Sequence, residues 1–556
     1  VGALVLGRHL GQRGPAFVLR ERTQLTTSGN VQLSAISPDG KQLAYFVKSC
    51  TEAACTYPLL VQDVGGTTTR TILGGATSAY GIDWSPDRRN LIVTTTIDGR
   101  FGTYLVSALG GTPRYLTSTG AAFWDGGDSL IVGPPRVPDS VFYLHVTSLD
   151  GSGRDSIRVP GPGAGVADLA VSPDGRWIFA EVGGGQDVVV VVEDRTGRVA
   201  GRWSQTGFSY YRVTRDALWL GGGWGLVDKA VVRVPFDPAQ GTLGSRGDTV
   251  FSGVFAGLSL PDDGSALVLD QGSAEYSLWA LDMADALRGR FPEAGLLLRS
   301  TTWAVVGVSS DGGMLLIGRQ LPSAGGRTAV RLSVRPWAGG PETPVAGSGE
   351  PVYAYLVDST TIALATKTPQ GVHLAAVNVR TGTERLGLDL PVSKVTEFAM
   401  LPDGWAWIPP GNDSIIVSRG GRRSAIPRPA WFSTLHTVSA EANGHRLVFT
   451  GWNTATFDSL GVAVVPVDGG TPTLWTAPFA EDGGASWLPD GSVALKVQPT
   501  QDIVALYRVR GPGQVERVGV VPRPVASLEF SRDLRRAAIA TRDYHGDVWM
   551  SRISRQ

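Results

Sequence analysis

Few side chains in this chain have the types and spacing that chemistry needs. Its six His residues, His9, His145, His373, His436, His445 and His545, are scattered, and no pair has the helical spacing of metal ligands. No metal site and no cofactor are expected. No Gly-x-Ser-x-Gly elbow, Walker loop or kinase signature occurs. The two cysteines, Cys50 and Cys55, share one short loop. A pair closing a hairpin suits a disulfide in an oxidising compartment; the other reading is two free thiols. Sixteen Trp residues are present. Trp84, Trp177, Trp279 and Trp487 fall at strand positions and read as core. Trp224 follows three glycines and Trp452 stands before Asn453, so both read as loop residues, either interface anchors or cover for a sheet edge. His545 also reads as a loop residue, in Tyr544-His545-Gly546-Asp547.

The elements that must position these side chains come from a repeat. An apolar strand, then Ser-Pro-Asp-Gly, then a second apolar strand appears at Ser37-Pro38-Asp39-Gly40 and again at Ser172-Pro173-Asp174-Gly175. Variants begin at Ser85, Leu260, Ser309, Leu401, Leu488 and Ser531, and worn copies near Trp124, Thr214, Val357 and Ala440. The starts recur every 39 to 49 residues along the 556-residue chain, which is the period of β-propeller blades. Pro presets φ, Asp caps the turn and Gly supplies φ > 0. The recurring Asp is therefore a turn residue rather than a catalytic or calcium-binding one, and the motif departs from the sialidase Asp-box because Gly follows Asp directly. Three further strand-like runs follow each turn, giving four strands per unit. The expected fold is all-β, with twelve four-stranded blades.

Composition agrees. The chain has 73 Gly, 35 Pro and only 18% charged residues, a turn-rich and well-buried globular protein rather than a disordered chain or coiled coil. Fifty basic residues balance fifty acidic ones, which argues against general nucleic-acid binding.

The repeat resembles the TolB-like (WD40-like) propeller repeat over residues 20 to 556. The resemblance implies a propeller, and often the exported part of a bacterial membrane-anchored protein, transmembrane Ser/Thr kinases among them. Periplasmic scaffolds and propeller-bearing peptidases also carry such blades. Here no hydrolase domain follows the last blade, which disfavours the peptidase.

Twelve blades suggest two six-bladed rings, since propellers have four to eight blades. Seven plus five, or one open array, are the alternatives. Residues 17–25 read as an outermost strand without a blade, and 547–553 as a third strand without a fourth. The expected solution has 17–25 completing the sixth unit beside 276–282, and 296–300 completing the twelfth. The expected domains are then 1–16 as a tail or the end of a membrane anchor, 17–283 as the first propeller, 284–295 as a linker and 296–556 as the second. Residues 1–7 are apolar but too few to span a bilayer. They read as the end of a transmembrane helix or as an ordinary apolar stretch.

Loops joining second and third strands, at 48–58, 134–140, 221–228, 319–327, 451–461 and 542–547, are long and dissimilar, as binding loops are. They carry Tyr57, Arg136, Trp224, Trp452, Phe457, Tyr544 and His545, the candidate contact residues. The expected function is a non-enzymatic exported binding or scaffold module, periplasmic and membrane-anchored. It would act as a sensor domain or as an accessory subunit on a membrane complex, respiratory or photosynthetic for example. A propeller hydrolase or lyase is the alternative.

Overall fold

The computed structural model describes residues 17–555 apart from 52–54, 119, 134–140, 151, 153–154, 161–165, 183–187, 194–195, 205–207, 223–228, 303, 323–327, 346–350, 393–394, 454–459, 480–482, 501 and 524. Among the described residues, antiparallel strands build twelve consecutive sheets with four main strands each. Helix among the described residues is confined to Met283–Leu287 and two short 3-10 turns. No helix among the described residues is long and apolar enough to cross a membrane.

Each repeat turn joins the first and second strands of a sheet. In the first sheet, Ser37 Oγ donates to Asp39 Oδ1 at 2.7 Å, and the Gln42 and Lys41 N–H groups donate to Ser37 Oγ and Asp39 Oδ1 at 2.9 and 3.2 Å. Burial pushes the Asp39 carboxyl up, but these donors and Arg88 outweigh it and hold it below the ordinary range. Gly40 sits at φ 72°. A Cβ there would meet nothing closer than Pro261 at 3.7 Å, so only the backbone resists a side chain. Gly40→Ala is expected to cost about 1 kcal/mol in urea unfolding without changing the fold. An unchanged midpoint would show that the turn does not hold the left-handed conformation.

Apolar clusters link the sheets in sequence. The first packs on the second through Phe46, Trp84 and Leu91. The second packs on the third through Ile92 and Phe123. The third meets the fourth, the fourth the fifth, and the fifth the sixth through Trp219 and Phe255. The sixth returns to the first: Val268 and Val548 pack on Val31 and Tyr45. A second cycle runs from the seventh sheet to the twelfth and closes where Tyr276, Leu278 and Ala538 pack on Val306 and Ile317. Neighbouring sheets in both cycles approach mainly through their first strands, which therefore lie innermost. Trp84, Trp177, Trp279 and Trp487 are buried, as their strand positions predict.

Phe17–Gln24 completes the sixth sheet and Leu296–Ser300 the twelfth, as the sequence predicts, but the third strands beside them differ from the expectation. Phe17–Gln24 does not pair with residues 276–282. It pairs with the chain's last strand, Phe17 opposite Arg555 and Gln24 opposite Trp549. Leu296–Ser300 pairs with the stretch around Tyr276, not with the last strand. The reason is that Ala266–Asp282 and Arg536–Arg555 each run on as one long strand. They pair without a break, from Ala266 opposite Arg552 to Asp282 opposite Arg536. The first half of each is a second strand in one cycle, and its second half is a third strand in the other. The two cycles thus exchange third strands, and each closing sheet ends in its own fourth strand, Phe17–Gln24 in one and Leu296–Ser300 in the other.

Candidate functional site

At the centre of the second cycle, five sheets each contribute one polar side chain. Tyr353 lies on the first strand of the eighth sheet, Pro351–Leu356, and Glu397 opens that of the ninth, Glu397–Leu401. His436 lies on Phe432–Ala440 of the tenth, Lys496 on the second strand of the eleventh, and Glu529 on Val525–Phe530 of the twelfth. Tyr353 hydrogen-bonds Glu397 and feels the charge of Glu529. It keeps 45% of its surface accessible. Lys496 Nζ donates to Glu529 Oε1 at 2.6 Å and to the Leu528 carbonyl at 2.9 Å. Burial pushes the Glu397 carboxyl up to about 7, against the pull of the Phe398 N–H, His436 and Lys496. The negative charge of Glu397, then burial, holds the Tyr353 phenol protonated and able to donate.

The centre of the first cycle is also polar. Ser34 Oγ donates to Asp270 Oδ1, while Oδ2, wholly buried, has no hydrogen-bond partner among the described residues. Gly257 makes the room: a Cβ there would lie 2.2 Å from that oxygen. Burial raises the Asp270 carboxyl to about 6, opposed by Ser34, Lys229 and Arg212. Lys229 is 6% exposed, and burial together with the charge of Arg542 lowers its ammonium to about 8. Arg212 of the fifth sheet reaches across the cycle and donates to the Ile82 carbonyl of the second at 2.9 Å. Asp83, beside it, is raised by burial against the pull of Arg212.

The loop residues expected from sequence separate. Tyr57 is not a free contact residue: it is 2% exposed, packs in the core between the first and second sheets, and donates its hydroxyl to Asp502. Lys48 Nζ reaches the same carboxylate at 2.6 Å. Asp502 belongs to the eleventh sheet's turn, so this part of the loop side is covered by the second cycle itself. Tyr544 and His545 are not in a loop. They stand mid-ladder in Arg536–Arg555, opposite Ala274 and Ser273, because the strand continues where a loop was expected. Tyr544 is buried and donates to the Asp270 backbone carbonyl; His545 is exposed. Trp452 also lies on a strand, Arg446–Asn453, half-buried, its ring 6.4 Å from that of His436. It therefore flanks the axial cluster of the second cycle. Arg136, Trp224 and Phe457 lie outside the described residues. Cys50 and Cys55 form a disulfide across the two-stranded ribbon that leads to Tyr57.

Sequence reasoning missed the axial groups. They stand 33 to 60 residues apart in the second cycle, inside ordinary strands, with no local motif. A polar residue on an otherwise apolar first strand, such as Glu397 before Phe398, was the available signal.

Among the described residues no three His, Cys, Asp or Glu side chains gather as metal ligands do. No family model and no curated protein matches the sequence. Among solved structures, the chain is similar to the tricorn protease at 14% identity and TM-score 0.30, covering 89% of this chain. It spans about half of that protein's length, 47%. It is also similar to a putative TolB from Agrobacterium tumefaciens at 18% identity and TM-score 0.32, covering 45% of this chain and 96% of that one.

Proposed function

We propose that the two cycles are two six-bladed propellers forming one exported binding module, not an enzyme, whose protein partner is taken at the loop side and axial groups of the second ring. One observation carries the reading: five sheets of the second cycle each send a polar side chain to a shared, accessible centre. Converging polar groups with shifted protonation in an apolar frame are the usual mark of a binding site. The Cys50–Cys55 disulfide supports export, since such bonds persist in oxidising compartments. The turn side is an unlike surface, because neighbouring repeat turns are tied to one another, as Asp311 is to Ser359 and Asp39 to Arg88.

The test is site-specific photo-crosslinking in cells that make the protein. A photoreactive residue at Trp452 is expected to trap the partner, and one at Leu109, 79% exposed on the turn side, is not. Crosslinks from Leu109 alone would overturn the assignment.

A further inference from the structure

The chemistry of the second cycle's centre names a ligand class, on the reading that this centre is the binding site. We propose that it recognises one organic ammonium group, seated between the Glu397 carboxylate and the Tyr353 ring. Charge pairing is the first ground. Lys496 is already committed to Glu529 and to the Leu528 carbonyl. Glu397 makes no ion pair among the described residues; it accepts from the Tyr353 hydroxyl and, at 3.4 Å, from the Phe398 N–H. Lys496 and His436 act on Glu397 without forming a direct ion pair with it among the described residues, so an incoming cation adds the charge-assisted contact this carboxylate does not have.

Shape and ring chemistry are the second ground. Tyr353 packs edge-on against Phe398, ring centres 5.6 Å apart, and leaves nearly half its surface accessible. Trp452 stands beyond His436 at the rim. Aromatic rings beside a carboxylate favour a cation twice, by ring quadrupole and by charge-assisted hydrogen bonding. An anion would meet Glu397 and Glu529. A neutral apolar group would bury Glu397 still without a partner. Arg532, a further cation among the described residues, acts on the Tyr355 phenol. The ammonium could belong to a free amine or to a lysine side chain of a partner protein, and the two are separable.

Isothermal titration of the full chain would use four probes: butylammonium, butyrate, an end-blocked peptide with a central lysine, and the same peptide with norleucine. Butylammonium or the lysine peptide is expected to bind, and butyrate and the norleucine peptide are not. Tighter binding of the peptide points to a protein lysine, and binding of butylammonium alone points to a free amine. Glu397→Gln is expected to weaken the cation at least tenfold, and Tyr353→Ala severalfold, with both variants folded by circular dichroism. No cation binding at millimolar concentration, equal binding by Glu397→Gln, or equal binding of norleucine would overturn the proposal. A partner still trapped at position 452 in that event leaves the binding-module reading standing and removes only the ammonium site.

Discussion

Deleting residues 547–556 is expected to unfold the first cycle, although most of that cycle lies more than 290 residues upstream. The deleted segment is the third strand of its closing sheet. It pairs on one side with Ala266–Asp282, at Leu269 opposite Trp549 for example, and on the other with Phe17–Gln24. Val548 is fully buried against Val31 and Tyr45. Losing one buried Val costs about 2 kcal/mol, and each lost ladder bond about 1 kcal/mol, so the total is at least about 4 kcal/mol. The second cycle keeps its own third strand, Tyr276–Asp282, and is expected to hold. Hydrogen exchange checks both halves: rapid exchange in Val31–Ile36 with protection retained in Ala304–Val308. Equal protection of Val31–Ile36 in the full and shortened chains would show that the last strand does not close the first cycle.

Asp270→Asn is expected to stabilise the protein at neutral pH by about 3 kcal/mol. Burial raises the Asp270 carboxyl to about 6, from an ordinary value of 3.8. The folded state therefore holds this proton more tightly than the unfolded chain. As pH rises from about 4 to about 6, the unfolded chain loses its proton first and stability falls, by about 1.4 kcal/mol for each pH step of one between those values. Above pH 7 the loss is complete. Asn carries no charge and still accepts from Ser34, so the variant lacks this slope and matches the parent only at about pH 4 and below. The repeat turns work in the opposite direction. Asp311 is held at about 2, because hydrogen bonds from Ser309, Ser359 and Gly313 outweigh its burial; its contribution is present above about pH 4 and lost as pH falls toward 2. Urea unfolding of parent and variant at pH 4, 6 and 8 separates the two effects. Parallel curves for the two proteins would mean that Asp270 is already satisfied when charged.

The blades were legible in the sequence because their signal is local. Ser37, Pro38, Asp39 and Gly40 specify one turn within four residues, and the repeat spacing then counts the sheets. Even worn copies serve: near Ala440, Glu441-Ala442-Asn443-Gly444 makes the turn with Gly444 at φ 71°, and Glu441 and Arg446 bridge it at 2.7 Å. The buried Trp positions followed from the same register. The disulfide pair was legible for the same reason, since five residues separate its ends.

Loop assignments failed where a strand could simply continue. Residues 542–547 carry Gly546 and polar neighbours, the composition of a loop, yet every one of them is paired with Ala266–Asp282. A ladder partner 270 residues away supplies the hydrogen bonds that decide strand over loop, and no local pattern encodes that partner. The same non-local pairing chose which cycle receives the last strand, because either third strand has the same alternating pattern. Trp452 likewise reads as a loop residue until Leu460 and Thr434 are seen on either side of it.

The sequence by itself thus determined the all-β class, the twelve four-stranded sheets, their turns and the cysteine pair, since each rests on contacts within one repeat. The tertiary structure alone decided the exchange of strands between the cycles, the covering of Tyr57 by Asp502, and the meeting of Tyr353, Glu397, His436, Lys496 and Glu529 at one axis. Those five stand on separate sheets, one to each. Closing a cycle brings innermost strands together from every repeat, and the chain between them carries no record of which residues will face one another.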